Sequence, residues 1–487
     1  MTENMIATTA KPENTAAEPA TGLRGNIGTF ELVMSVVALS APLVTIAGMG
    51  PVMGSFGGNS APVIYIMCMA ILICFSDGFV KMSMYIKNPG GFYAFITQGL
   101  GKKIGLGAAF LSGIGYPLIG FFGPCYFPMF LSSYIHDILQ GPAIPWWTIS
   151  FVYIAVIVYM DCHKIDISAR VLSYVMLAEC IVVTMFDVGS FLIVGDAPGG
   201  AALALPDMGA GSTFGIAMLL IFGTFLGFEA TVIYREEVRT PEKTIPRATM
   251  ISVLLIGIFY AIGMWAYVAF YGADGIVAAA TTDGEHLFQN AMLVLFGRVM
   301  LHIVTVMVMF SMFASTLSAV NVSARYLYSM GKDGVLPTAF GKVHPVYASP
   351  YRGVIAVGAV YAIAVSVLAF LDKDPGQIFA IASGVGSFCI LLVMFITSLS
   401  VLTYFVKHLP AEADTWGTKV SPVLGVAGTG LITYWGLRNY GDLVGNEAIA
   451  GVLLAVTFGV FVFGIIYAAW LQRHRMDIYL KIGRQMF

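Results

Sequence analysis

The stretch GTFLGFEATVIYREEVRTPEKTIPRA (Gly223 to Ala248) begins as an apolar helix and ends as a cluster of charges. Gly223 and Gly227 flank Phe225 and Leu226, and one carboxylate, Glu229, follows inside otherwise apolar sequence. An acid surrounded by hydrocarbon costs several kcal/mol unless it is paired or faces a wet cavity, so its presence marks a site by default. Arg235, Glu236, Glu237, Arg239, Glu242, Lys243 and Arg247 come next. Among them Pro241 and Pro246 end one helix and pre-set the start of another.

The surrounding chain explains the setting. Of 487 residues, 58% are hydrophobic and only 11% charged, with a mean hydropathy of +0.85. A soluble domain carries about 25% charged residues. The lipid bilayer must therefore be the solvent for much of this protein. A net charge of -2 gives no electrostatic reason to expect nucleic acid. The six cysteines, Cys68, Cys74, Cys125, Cys162, Cys180 and Cys389, lie in or beside apolar runs without metal or disulfide spacing, and read as small buried hydrophobes. Residues 1–25 are polar and read as a disordered cytoplasmic tail rather than a signal peptide.

Apolar runs long enough to cross about 30 Å as helix fall at 32–56, 62–84, 104–135, 146–160, 168–194, 212–234, 249–273, 297–328, 352–371, 377–406, 422–437 and 448–470. They predict twelve membrane helices, numbered as spans in that order, in an all-α integral membrane protein. With both termini inside, only Arg298, Lys373 and Arg438 of the 25 positive residues fall outside. Acids such as Asp187, Asp196, Asp207 and Asp274 are read as outer residues, an indifference that the positive-inside rule expects. The 272–296 connection is long enough for a short interfacial helix. No soluble domain and no phosphate-binding G-x-x-x-x-G-K-[ST] loop is present, so uphill movement of a solute would draw on an ion gradient or on exchange.

Span 1 contains SAPLVTIAGMGPVMGSFGG (residues 40–58), in which Gly48, Gly50, Pro51 and Gly54 crowd together near mid-membrane. Pro51 lacks an N–H and clashes with the preceding turn, so the helix is expected to break there, the alternative being a continuous but kinked helix. Broken backbone at that depth must line a polar cavity. Amides around Gly48–Gly50 would then offer the positive end of a half-helix to a carboxylate. Span 6 repeats the arrangement at Gly223–Gly227. Spans 1 and 6 each head a group of five and start on opposite sides, and paired interruptions in inverted halves point to a transporter's central site. The small-residue run AIASGVGS in span 10, with Gly384 and Gly386, fits a packing role or a site role equally.

Three stretches, NPGGFYAFITQGLG (88–101), GFEATVIYREEVRTPEKTIPRA (227–248) and NVSARYLYSMGKDGVLPTAFGKVHP (321–345), resemble the amino acid permeases of the amino acid–polyamine–organocation superfamily in residue type and spacing. The resemblance covers residues 25 to 470. It implies a five-plus-five inverted-repeat fold with helices 1 and 6 interrupted, alternating access, and secondary transport of amino acids or related amines. It implies a core at 26–407 (spans 1–10), a 408–472 segment (spans 11–12) and a cytoplasmic tail at 473–487. It places the substrate at Thr45, Ile46, Gly48, Met49 and Gly50 and at Phe225, Leu226 and Gly227. Relatives carry Gly-Ser-Gly where this chain has Gly48-Met49-Gly50, so a serine hydroxyl is missing.

Glu229 is the leading candidate for coupling or gating, through hydrogen bonds that change on protonation. It also suits an amine ligand, or a structural acid bonded to exposed backbone donors. Glu179 in span 5 is a second intramembrane acid, suited to a proton path or to a bond with a neighbouring helix. Asp77 and Lys81, one turn apart, read as an inner-end ion pair that stabilises or gates. Arg325 reads as part of an inner charge network with the 235–247 cluster, or as an interfacial anchor. Thr316, Ser318, Asn321 and Ser323 in span 8 do not by themselves specify sodium, because such hydroxyls usually bond their own helix. Arg298 and His302 lie near the outer end of span 8, where Arg298 is free to snorkel to the interface. The expected protein is not an enzyme and holds no cofactor or metal. It is a proton-coupled amino acid importer of the plasma membrane with cytoplasmic termini, acting on a small-molecule amino acid or amine, as monomer or dimer. The alternatives are an amino acid/amine exchanger and a polyamine or amine permease.

Overall fold

The computed structural model describes residues 27–86, 90–138, 140–163, 169–209, 213–282, 284–373, 375–408 and 414–483. The 1–25 tail, Asn88, Pro89, Lys164 and Arg484 lie outside the described residues. The described chain is all α: eleven helical runs are long and apolar enough to cross a bilayer. The first, Thr29–Tyr85, has 57 residues. At 1.5 Å per residue such a run reaches about 85 Å, far more than one bilayer core. It is divided by a tight turn at Gly58–Ser60, where Gly58 takes φ +52°. Each apolar run read from the sequence coincides with a helix or helix group, from Lys102–His136 to Glu447–His474.

Two places depart from regular helix. In span 1, Thr29–Ser40 stops at Ala41, whose φ of 47° is left-handed, and a new helical run starts at Pro42. That run widens to a π turn over Thr45–Met49 and returns to α-helix at Gly50–Gly57. The expected break at Gly48–Pro51 is therefore corrected: the interruption lies at Ala41, and Gly48, Met49 and Gly50 sit inside continuous helical backbone. Proline explains the position. The residue before a proline is pushed out of the helical region, as Ala41 is before Pro42, whereas the chain passes Pro51 directly after the widened π turn of Thr45–Met49, where the Tyr267 hydroxyl donates to the Ile46 carbonyl. In span 6, Phe214–Thr224 ends at Phe225–Gly227 and the chain continues in tight 3₁₀ turns over Phe228–Glu236. Gly227 takes φ 125°, a conformation that only glycine adopts cheaply.

The start of span 1 and the end of span 6 are stitched together. Ile27 N–H donates to the Glu237 carbonyl (2.9 Å) and Arg239 N–H to the Ile27 carbonyl (3.1 Å). Two short helices, Ile276–Thr282 and Leu287–Phe296, fill the 272–296 connection, where one was expected. Gly54 faces Ile276, where a Cβ would stand at ordinary contact distance, 3.5 Å. Asp187, read as an outer acid, instead lies within the Ala169–Leu192 helix and is only 6% exposed. Gly386 packs against the backbone of Gly115 and the Ile119 side chain, the packing reading of the span 10 glycines. Toward the C-terminus, Gly483 N–H donates to Asp333 Oδ2 (2.8 Å), and Lys102 Nζ donates to the Tyr479 carbonyl (3.0 Å). The end of the described chain is thus docked onto Asp333 and Lys102.

Candidate functional site

The interruptions of spans 1 and 6 meet. Ser40, the last residue before the span 1 break, donates from Oγ to the carbonyl of Thr224, the last before the span 6 break, at 3.1 Å. The Tyr260 hydroxyl sits 2.6 Å from Ser40 Oγ and donates to the Ser40 carbonyl at 3.0 Å. Thr45 Oγ1 donates to the same carbonyl at 2.7 Å. Tyr65 bonds Thr224 Oγ1 at 3.1 Å and sets its ring 5.9 Å from Phe225, tilted, and 5.9 Å from Tyr260, edge-on. Every side chain in this knot is buried. Unpaired backbone groups at such a depth are costly, and these hydroxyls supply partners for them.

The amides of the second half of span 1 are also accounted for. Ala41 N–H donates to the Val37 carbonyl and Thr45 N–H to the Ala41 carbonyl, while Pro42 has none to give. Leu43 N–H donates to Glu179 Oε2 and Val44 N–H to Ser311 Oγ, each at 3.3 Å. Ser311 in turn donates to Glu179 Oε2 at 2.8 Å. A carboxylate thus caps the positive end of a half-helix, the placement that its dipole favours. Glu179 is fully buried, and its other oxygen, Oε1, has no hydrogen-bond partner among the described residues.

Glu229 caps the other break. Its Oε2 accepts from Gly227 N–H at 2.8 Å and its Oε1 accepts from the Tyr116 hydroxyl. It is 1% exposed. The Tyr116 ring stacks on Tyr326, 5.3 Å between centroids, so the acid is held from span 3 and braced from span 8. Phe225 and Leu226 are buried at the same break.

Other predicted residues fall elsewhere. Ile46 accepts from the Tyr267 hydroxyl at 2.8 Å through its carbonyl. Gly50 lies beneath the Tyr267 ring, and Gly48 is 3.7 Å from the Tyr126 ring, measured from where a Cβ would stand. Neither glycine presents a free half-helix end. Lys81 pairs with Asp414 at 3.6 Å, which corrects the expected Asp77–Lys81 pair. The backbone N–H groups of Trp416 and Gly417 hold the Asp414 carboxyl below the usual carboxylate value. Arg325 forms a buried ion pair with Glu237, donates from Nε to Asn321 Oδ1 at 2.7 Å, and lies 4.5 Å over the Tyr234 ring. Thr316 and Ser323 bond their own helix carbonyls, at 2.9 and 2.7 Å. Arg298 is exposed, and His302, also exposed, bonds Tyr134 at 3.3 Å.

Ser40, Thr224, Tyr65, Tyr260, Tyr116, Ser311 and Glu237 were not singled out individually for the site from the sequence. Ser-Ala-Pro at 40–42 carried a usable signal, since a proline that stops a membrane helix leaves its neighbours seeking partners. The tyrosines carried none, being 3 among 23.

The amino acid permease family matches residues 27–471. The low-affinity putrescine importer PlaP of Escherichia coli is 22% identical over 355 residues, covering 71% of this chain and 75% of that protein. The branched-chain amino acid permease BcaP of Bacillus subtilis is 24% identical over 355 residues, covering 68% and 72%. BcaP of Lactococcus lactis is 29% identical over 245 residues, covering 48% of each chain. A multi-pass chain that brings two helix interruptions together in its core, matched over nearly its whole length, is a membrane carrier rather than an enzyme: it belongs to the amino acid permeases of the amino acid–polyamine–organocation superfamily.

Proposed function

We propose that the protein imports an amino acid across the plasma membrane by alternating access, driven by protons. One observation carries this reading: the span 1 and span 6 interruptions are joined through Ser40 and Thr224, with a buried acid capping each. A solute bound between them would exchange hydrogen bonds with this knot, and rocking of the two halves would expose it to either side in turn. Division of Thr29–Tyr85 at Gly58–Ser60 makes twelve crossings, with spans 1–10 (26–407) as a five-plus-five inverted-repeat core and 408–472 beside it. Both termini are then cytoplasmic. Phe225, Leu226, Gly227, Thr45 and Ile46 line the substrate side of the break, while Gly48, Met49 and Gly50 support the helix behind it. Glu179 couples substrate movement to protons, Glu229 gates by holding the span 6 break, and Arg325 with Glu237 closes the inner end. Lys81 with Asp414 acts as an inner-end brace.

A second reading of the substrate rests on a specific observation. The Leu43 and Val44 amides, which a substrate carboxylate would seek, are already taken by Glu179 and Ser311. That favours a solute whose recognised group is an amine. Both readings meet one experiment: uptake into proteoliposomes with competing amino acids and diamines, with and without a pH gradient. Competition by α-amino acids alone supports the first reading, and competition by diamines alone the second. Uptake that requires internal substrate and ignores the gradient removes proton coupling.

A further inference from the structure

Beyond Glu179 Oε1, three more buried oxygens without a hydrogen-bond partner among the described residues lie toward the outer side. They are Asp187 Oδ1 and Ser190 Oγ on the same Ala169–Leu192 helix, and Gln289 Oε1 on the Leu287–Phe296 helix packed against it. Their residues are 0–6% exposed. Buried polar groups normally have partners. Three of these four oxygens only accept, so what satisfies them is a donor or a cation rather than an anion. By helical rise, Asp187 stands about 12 Å outward of Glu179, and Ser190 about 4.5 Å further.

The two acids share the same surroundings in two layers. Glu179 caps span 1 at Leu43, beside the level where Tyr260 of span 7 bonds the Ser40 carbonyl. Asp187 faces span 7 at Gly263, where a Cβ would stand 3.8 Å from Asp187 Oδ1 and would press on Ile46. One turn further along span 7, Tyr267 bonds the Ile46 carbonyl. Each layer therefore holds a span 5 carboxylate, a span 7 tyrosine and a span 1 carbonyl. The bare glycine lets the Ile46 side chain lie against span 7 and puts no polar partner of its own beside Asp187 Oδ1.

Resting on the proton-coupled reading above, we propose that Asp187 is the outer station of a proton route along span 5 that ends on Glu179. A hydronium ion at the outer side gives its proton to the Asp187 carboxylate, forming one O–H bond as another breaks. Because the two acids are too far apart for direct transfer, water carries the proton on to Glu179 Oε1. The titratable groups around Asp187 are Tyr267 on span 7, Glu179 and Cys180 on its own helix, and Asp196 on the turn that follows. Arg298 and His302 stand at the exposed outer end of span 8. The span 1 segment 42–57 and the Leu287–Phe296 helix contribute none.

The test uses the purified full chain in proteoliposomes and reads two fluxes, equilibrium counterflow and accumulation driven by an imposed pH gradient. Asp187→Asn is expected to lower gradient-driven accumulation at least about tenfold while counterflow stays within about twofold, and Asp187→Glu is expected to restore it. Gradient-driven accumulation by Asp187→Asn within about twofold of the wild type overturns the proposal. A wild type that performs counterflow but ignores the gradient overturns the coupling reading and this proposal together, so the two failures are distinguishable. Should Asp187→Asn not fold, an apolar carbodiimide that modifies protonated buried carboxyls is applied to the wild type. Modification at Asp187 is expected to rise as the outer pH is lowered at fixed inner pH, and modification indifferent to outer pH overturns the route.

Discussion

Glu229 and Glu179 are both buried carboxylates at the break of a membrane helix, yet they are held differently. Glu229 caps its own chain two residues back, and both its oxygens have donors, Gly227 N–H and the Tyr116 hydroxyl. Glu179 reaches across from span 5 to cap span 1, and both its donors fall on Oε2 while Oε1 has none among the described residues. The difference separates two jobs that sequence alone lends equally to any intramembrane acid. An acid satisfied on both sides fixes a shape. An acid with an open oxygen keeps room for a proton or an ammonium group.

The largest effect should come from removing the satisfied acid. Glu229→Ala leaves a buried Tyr116 hydroxyl and a buried Gly227 N–H unpaired, at about 1–3 kcal/mol each. A clear fall in Tm in detergent and loss of all fluxes are expected, and a variant that melts with the wild type would break the comparison. Next comes Arg325→Ala, which strands Glu237 at the inner end. Breaking a buried pair costs about 3–5 kcal/mol. Because this pair lies away from both interruptions, the variant should also leave the inner side more open to thiol or solvent labelling. Unchanged labelling would deny it a closing role.

Glu179→Gln sharpens the contrast. An amide in that place keeps one acceptor for Leu43 and Ser311, so the stability loss is about 1–3 kcal/mol at most. Gradient-driven accumulation should fall while counterflow persists. Equal loss of both fluxes would make Glu179 a shape-fixing acid like Glu229. The smallest effect belongs to Ser40→Ala, which removes one neutral hydrogen bond worth about 1 kcal/mol. It is expected to raise KM with little change in Tm, and an unchanged KM would place the substrate away from the knot.

Much of the architecture was legible because it follows from period and composition. Apolar runs near bilayer length mark the spans. Gly223 and Gly227 mark the span 6 break, which coincides with Gly227 at φ 125°. The span 1 break was misread because glycine density around Gly48–Gly54 outweighed proline position. Four small residues allow a wide π turn and close packing, whereas Pro42 forces the residue before it out of the helix. The Asp77–Lys81 pair was misjudged because helical spacing brings two residues near each other but does not exclude a third partner. Asp414 lies more than 300 residues further along the chain and takes Lys81 instead. Tyr116, Tyr65 and Tyr260 were unreadable for the same reason: each is ordinary in its own helix and acquires meaning only from what the fold sets against it.

The most direct test of the central claim is accumulation of a labelled amino acid or diamine by the purified chain in proteoliposomes, comparing Glu179→Gln with Glu229→Gln under an imposed inward proton gradient. The account predicts that the wild type concentrates the solute only when the outside is acidic. It predicts that Glu179→Gln exchanges but no longer concentrates, and that Glu229→Gln does neither. Concentrative, pH-driven uptake by Glu179→Gln at the wild-type level would contradict it.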